Sequence, residues 1–492
     1  KPLYVAHSIR GRAVAFASEL AALEALSGVQ HTPCVQAARA FFELGYVPDT
    51  SAILEGVTKV QPGEAWCFTS AGGIPRVFTY FDRVASVRRT EGDCVRDVPS
   101  AKRALTTALD AAVDRQLVSD VPVGVFLSGG IDSTIVAASC MRSGHGRVQS
   151  FCIGFEDERY DESGSARAIA RHLGTDHHEL ILRPTELLDS VPAAAAAFSE
   201  PFADSSLVPT WILCQFARKH VTVALSGDGG DELFGGYNRH LWLPRLMAAQ
   251  VVVPRWLRAR TAAGMQYFSQ DAWDRVLHKL PLRMPGLKAH KLARLLTAEG
   301  SNALLREVVG SGPLASGLVL GAAGPHQPAM LDLGDARSSL MFNDYITYLP
   351  GDVLTKVDRC SMAHGLEARV PLLDEGVVAL AARIHPDLKI RGGRGKWILR
   401  EVLAERVPRD LFERPKMGFA MPLADWLRGP LRPWAEELLS PRALAQSPIL
   451  DAHTARNAWK GLLAGKPMME FGVWSLLMWQ QWELGRRQLR PA

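Results

Sequence analysis

The sequence predicts an α/β fold, a parallel sheet with helices on both faces, preceded by a shorter segment of mixed strands and helix. Three observations predict it. Strand-like and helix-like runs alternate from residue 101 onward. Two of the strand-like runs end in glycine-rich turns that each carry Ser-Gly and an aspartate, at 128–133 and 226–231. Residues 1 to about 85 instead break into short β-like pieces with turns, and a polar, charged stretch at 86–100 separates the two patterns.

Within the first segment, Pro2 to Ala6 is strand-like, and Val14 to Ser18 leads into helically spaced residues from Glu19 to Leu26. Cys34 falls in a further helix, and Val60 to Phe68 reads as a turn followed by a strand. From residue 101 a helix at 101–117 precedes a strand at 123–127 and a helix at 131–141. A strand at 149–155 precedes a helix at 162–173, and a helix at 206–219 precedes a strand at 221–225. This spacing argues for parallel strands buried on both faces, with ligands at their carboxyl ends. The run Ala193 to Ala197 is most simply helical. From 240 the chain is mostly helical, and its tryptophans, from Trp242 and Trp256 to Trp479 and Trp482, read as core.

Composition bounds the function. A chain of 492 residues is expected to hold two or three domains. The 47% hydrophobic and 22% charged content is that of an ordinary globular protein. The net charge of +5 is small, and even the basic stretch from Arg391 to Lys396 is broken by glycine, so no nucleic-acid partner is expected. Seven scattered cysteines without a Cys-x-x-Cys spacing argue against a disulfide framework or zinc site and for a reducing cytoplasm. The adjacent His177 and His178 on a strand point to opposite faces, which argues against a metal there. Apolar runs fall short of the roughly 18 residues of a span, so no membrane partner is expected, and no signal peptide is visible.

The chemistry lies in the two corners. The first reads Ser128-Gly129-Gly130-Ile131-Asp132-Ser133 after the apolar run Val123 to Leu127. Small residues there let main-chain N–H groups approach an anion, and the following helix start adds its positive dipole end. The spacing is not that of the phosphate loop of common nucleotide hydrolases. The second corner, Ser226-Gly227-Asp228-Gly229-Gly230-Asp231-Glu232, repeats the logic but carries more acid. Carboxylates beside phosphate repel it unless a cation lies between. Mg2+, held by one or two carboxylates and the phosphates themselves, resolves the conflict, and Asp132 makes the same case from the first corner.

These stretches resemble the glutamine-dependent asparagine synthetase family. Ser128 to Ser133 matches its pyrophosphate loop, and Leu225 to Tyr237 its second signature. Lys356 to Asp374 is a third match, and Lys396 to Arg400, followed by Arg414 to Pro422, a fourth. The resemblance implies that ATP activates a carboxylate, aspartate first, as an acyl-adenylate, and that ammonia then forms the amide. It implies that Leu127, Ile153, Ser226 and Gly227 contact AMP, that Ser128, Gly129, Gly130, Asp132 and Ser133 hold pyrophosphate, and that Asp132 and Asp231 ligate magnesium. It makes Asp228 the acid needed for adenylate formation and Lys396 the cation that neutralises charge on the leaving pyrophosphate, a role that electrostatics also favours. Glu367 matches a position facing the reaction centre, and Lys356, Asp358 and Arg359 either border the same pocket or form a buried ion-pair network.

The resemblance further divides the chain. Residues 1–85 match the C-terminal remnant of an N-terminal-nucleophile α+β amidotransferase domain, 86–100 a linker, and 101–492 the synthetase domain. That domain has an adenine nucleotide alpha-hydrolase-like, ATP-pyrophosphatase core and a helical C-terminal part. Lys1 opens the sequence as though entered mid-domain, so the glutaminase nucleophile is expected in none of the cysteines here, Cys34 included. Ammonia would come from glutamine by way of a missing upstream segment, and a homodimer is compatible with the family. The motifs bind the ATP that related reactions share, so a uronic acid of a surface polysaccharide or a peptide carboxyl remains an alternative substrate. A tRNA-modifying enzyme would need a basic surface and often cysteine pairs. A non-catalytic binding module would have no need of Asp132, Asp231 and Lys396 together.

Overall fold

A computed structural model of the chain describes residues 1–9, 13–26, 28–69, 73–88, 93–144, 146–157, 161–277, 285–310, 314–324, 330–414, 423–466 and 469–489. At the N-terminal end, strands β1 (Tyr4–Ile9), β2 (Ala13–Ala17) and β3 (Val57–Lys59) form an antiparallel sheet in the order β2-β1-β3. A separate hairpin pairs β4 (Glu64–Cys67) with β5 (Arg76–Thr79). Helix α1 (Val35–Leu44) packs Phe41 and Phe42 into the core and stops at Gly45, whose φ of 88° suits a residue without Cβ. Cys34 caps this helix from outside rather than lying within it.

The larger sheet is built from β6 (Val123–Phe126), β7 (Gln149–Phe155), β8 (Asp176–Leu182), β9 (Val223–Leu225) and β10 (Glu367–Arg369), all parallel, in the order β10-β9-β6-β7-β8. Alternate side chains leave opposite faces. In β7, Phe151, Ile153 and Phe155 join one buried core, and Cys152 joins the other. That second core is closed by helices α2 (Val98–Leu117), α3 (Ile131–Arg142) and α4 (Ser163–Leu173), and the first by α5 (Leu207–Arg218). The expected alternation of strand and helix is therefore present, with helices on both faces. Helix α2 starts inside the stretch expected as a linker, because the Asp97 carboxylate accepts the Ser100 N–H at 2.8 Å and caps it.

The short helix α6 (Gly230–Phe234) leads into α7 (Asn238–Val252), α8 (Arg255–Tyr267) and α9 (Pro285–Thr297). A π-helical stretch, Asp344–Leu354, contains Pro350 and runs straight into α10 (Thr355–Met362). Helix α11 (Trp397–Leu403) lies against the glycine corners, and α12 (Met469–Leu489) buries Trp474 and Trp479 completely. Trp256 departs from the expectation of core tryptophans, since 60% of it is exposed. Strand β10 also departs from the helical reading after 240: three residues suffice for a strand when β9 supplies the ladder.

Buried charge fastens the N-terminal sheet to the rest. The Glu200 carboxylate accepts the Tyr4 hydroxyl at 2.9 Å and the Ile53 N–H at 2.8 Å, and pairs with the Lys59 ammonium at 2.6 Å. Arg359 pairs with Glu19 and donates to the Ser18 carbonyl at 2.8 Å, while Asp358 pairs with Lys1 at 2.9 Å.

Candidate active site

The chain reverses from strand to helix at the carboxyl ends of β6 and β9, and the two reversals touch. A Cβ placed on Gly227 would lie 2.6 Å from the Ser133 nitrogen and 2.7 Å from the Asp132 carbonyl carbon. A Cβ on Gly230 would strike the Asp132 carboxylate. Glycine is thus required because one corner packs against the backbone of the other. Beside them opens a cleft of about 690 Å³, lined by both corners, β7 and the start of α11.

Hydroxyls hold the first corner in shape. The Ser133 hydroxyl donates to the Gly130 carbonyl at 3.2 Å and accepts the Ser128 N–H at 3.2 Å, and the Ser128 hydroxyl accepts the Gly130 N–H at 3.3 Å. Gly130 caps α3, so Ile131, Asp132 and Ser133, which line the cleft, carry the N–H groups a helix start leaves without an intrahelical partner. Gly129 turns the other way. Its φ is 72°, and a Cβ there would meet the Arg414 guanidinium at 2.8 Å. Arg414, itself at the cleft wall, locks the corner by donating to the Ser128 carbonyl at 3.0 Å and the Ser165 hydroxyl at 2.6 Å.

Lys396 brings the corners' acids to one point. Its ammonium contacts the Asp132 carboxylate and lies 2.7 Å from Asp231. Burial disfavours the ammonium, yet the two carboxylates outweigh that and hold its pKa above the ordinary lysine value. The backbone of Lys396 has a φ of 55°, alone among the described non-glycine residues in being positive, and its N–H is bonded to the Phe234 carbonyl at 3.0 Å. Such a conformation costs about 1–3 kcal/mol and marks a position fixed by its surroundings.

The far wall is a second charged cluster. Asp228 is half-buried, and desolvation raises its carboxyl pKa although the Ser226 hydroxyl donates to it at 2.7 Å. Lys356, also lining the cleft, contacts Asp204 and lies 3.7 Å from Asp352. Burial would raise the Asp204 carboxyl, but the Lys356 ammonium holds it down at about 2. Glu232, covered and bonded by the Tyr237 hydroxyl at 2.7 Å, is pushed up to about 7 by burial and then by Asp231.

Of the residues expected in the site, Leu127, Ser128, Gly130, Asp132, Ser133, Ile153, Ser226, Gly227, Asp228, Asp231 and Lys396 all border this cleft. Gly129 shapes it from behind. Glu367 does not join it: it opens β10 opposite Val223, at the amino end of the parallel strands, and its 57% exposed side chain is bonded to Arg369 at 2.6 Å. Asp358 and Arg359 face the N-terminal segment instead of the cleft, whereas Lys356 borders it. Pro415 to Pro422, the rest of the fourth motif, lies outside the described residues. Glu232 and Tyr237 also line the cleft; the sequence showed Glu232 as one of the second corner's acids and Tyr237 as the end of the second signature but gave neither a role.

The donor set suits magnesium. Asp132 and Asp231, both in contact with the Lys396 ammonium, are the two carboxylates that would hold it, the number magnesium takes when phosphate and water complete its shell. Among the described residues no group of three or more His, Cys, Asp or Glu converges as a closed metal cage would need.

Comparison with known proteins gives a consistent picture. Residues 104–484 match the asparagine synthase family. The chain is 28% identical over 465 residues to asparagine synthetase (glutamine-hydrolyzing) 1 of Bacillus subtilis, covering 91% of this chain and 68% of that one. It is 32% identical over 454 residues to a putative asparagine synthetase (glutamine-hydrolyzing) of Mycobacterium tuberculosis, covering 88% of this chain and 65% of that one. The chain thus spans about two thirds of the length of these relatives.

Proposed function

This chain belongs to the asparagine synthase family, and on that premise we propose that it is an ATP-dependent, amide-forming ligase that activates aspartate as an acyl-adenylate, releases pyrophosphate and completes the amide with ammonia. The observation that supports this most is the meeting of two glycine corners and one lysine at a single cleft. A hydrolase needs one anion cradle. Here the N–H groups of the first corner serve the pyrophosphate end, and Ser226 and Gly227, with Leu127 and Ile153, serve the AMP end.

Electrostatics supports a role for each charged group. At about 4 Å and an effective dielectric near 20, each like-charged contact costs about 4 kcal/mol, so Asp132 and Asp231 exclude polyphosphate unless a cation lies between. Asp132 and Asp231 would hold magnesium, which would supply that neutralisation. Lys396, held by the corner of α11, keeps a positive charge at the place where negative charge grows as pyrophosphate leaves. Asp228 stands on the opposite wall and, with Lys356 behind it, faces the acyl side of the reaction.

The test is ATP–pyrophosphate exchange against a panel of carboxylic acids, with ammonium salt as nitrogen donor. Aspartate is expected to stimulate exchange and to yield asparagine and AMP. Stimulation by a uronic acid instead would keep the chemistry and change the substrate. No stimulation by any carboxylate would remove the ligase reading.

A further inference from the structure

Arg400 stands apart from the other cations of the cleft. It follows Lys396 by one helical turn, its N–H bonded to the Lys396 carbonyl at 2.9 Å, so both side chains leave the same side of α11 and both line the cleft. The Arg400 side chain is half-buried, and its Nε donates to the Gly395 carbonyl at 3.0 Å. Among the described residues its two terminal nitrogens have no hydrogen-bond partner, and no carboxylate lies within ion-pair distance. The other cations are committed. Lys396 holds Asp132 and Asp231, Lys356 holds Asp204, Arg394 pairs with Glu413 at 3.2 Å and Arg414 with Glu162 at 3.4 Å. Burial disfavours the Arg400 guanidinium, and two of the charges that act on it, Arg394 and Arg409, share its sign.

We propose that Arg400 binds the terminal phosphate of ATP and thereby selects a nucleoside triphosphate over a diphosphate; this rests on the nucleotide site of the reading above. Its place in the cleft selects that group. The acids that act on it are Glu413, next to the arginine that locks the first corner, and Asp132, on that corner itself. Arg400 therefore belongs to the pyrophosphate side, away from Ser226 and Gly227 at the AMP end. Side chains at i and i+4 are about 5–6 Å apart, which puts Lys396 at the bond that breaks and Arg400 at the far end of the leaving group. The guanidinium fork matches phosphate oxygens two at a time, so both terminal nitrogens would gain partners at once. A carboxylic acid substrate would also suit the fork, but the acyl side of the reaction lies at the opposite wall, with Asp228 and Lys356. The terminal phosphate departs within pyrophosphate, so the same contact holds that product.

The experiment is calorimetric titration of the full chain with ATP, ADP and AMP, each with magnesium. Wild type is expected to bind ATP at least about tenfold tighter than ADP. Arg400→Gln is expected to weaken ATP about thirtyfold, the loss of one charge-assisted phosphate contact, and to leave ADP and AMP within about twofold. Arg400→Lys keeps the charge without the fork and should fall between, about fivefold weaker for ATP. Both variants should keep the wild-type melting transition in the absence of nucleotide. Equal losses for ATP and ADP would show an arginine that only braces Gly395, and would overturn the proposal. So would wild-type ATP affinity in both variants, or a wild type that does not prefer ATP to ADP. If no carboxylate stimulated exchange while the ATP preference and its loss in Arg400→Gln held, the ligase reading would fail and this assignment would stand.

Discussion

Lys396→Ala is expected to reduce ATP–pyrophosphate exchange by about 10²–10³-fold, with a much smaller change in the apparent affinity for ATP. The ammonium is buried between two carboxylates and projects from a backbone held at a φ of 55°, so its position is set before substrate arrives. A charge placed that way acts chiefly on the transition state, where the leaving pyrophosphate accumulates negative charge, and its loss falls on turnover. Removing it also leaves Asp132 facing Asp231 without the cation between them, so the variant should melt lower without magnesium and recover when magnesium is added. Lys396→Gly separates the two effects. Glycine accepts the positive φ that strains alanine, so this variant should melt above Lys396→Ala while exchanging no faster. Exchange within threefold of wild type in both variants would remove Lys396 from the chemistry.

Gly227→Ala is expected to lose about 10²-fold in exchange, because its methyl group would drive the two corners apart. The atoms it meets, the Ser133 nitrogen at 2.6 Å and the Asp132 carbonyl carbon at 2.7 Å, are backbone and cannot rotate away. Overpacking of this kind costs about 1–3 kcal/mol of stability, so a lower melting temperature should accompany the loss. Gly164→Ala is the control: it lies in α4 with open space around its would-be Cβ, and it should leave exchange unchanged and melt no lower than wild type. A Gly227→Ala enzyme with normal exchange would mean that the corners need not touch.

Both corners were legible in the sequence because each is a local pattern, an apolar strand broken by Ser-Gly and restarted as a helix. The sheet was legible for the same reason, and the alternation from β6 to β9 survives with end shifts of one to a few residues. What escaped was set by tertiary pairing. Three-residue β10 exists because β9 supplies its ladder, and only that pairing reveals that Glu367 opens a strand at the end of the sheet away from the cleft. The contact of Lys356 with Asp204 joins residues 152 positions apart, and that of Tyr4 with Glu200 joins residues 196 apart, distances over which local periodicity carries no information. Glu232 was visible as an acid, but its burial and its bond from Tyr237 belong to the packed cleft. Trp256 was misread for the opposite reason: its type predicts core, and nothing local shows that its stripe of α8 is exposed among the described residues.

The central claim, one nucleotide site bridged by a cation between Asp132 and Asp231, is tested most directly by a double-mutant cycle on magnesium-ATP affinity. Asp132→Asn, Asp231→Asn and the double variant would be titrated with ATP at fixed magnesium by calorimetry. The predicted result is strong non-additivity, the double variant binding about as weakly as either single variant, because each loss already breaks the shared site. Additive losses from the two substitutions would show two acids acting independently and contradict the account.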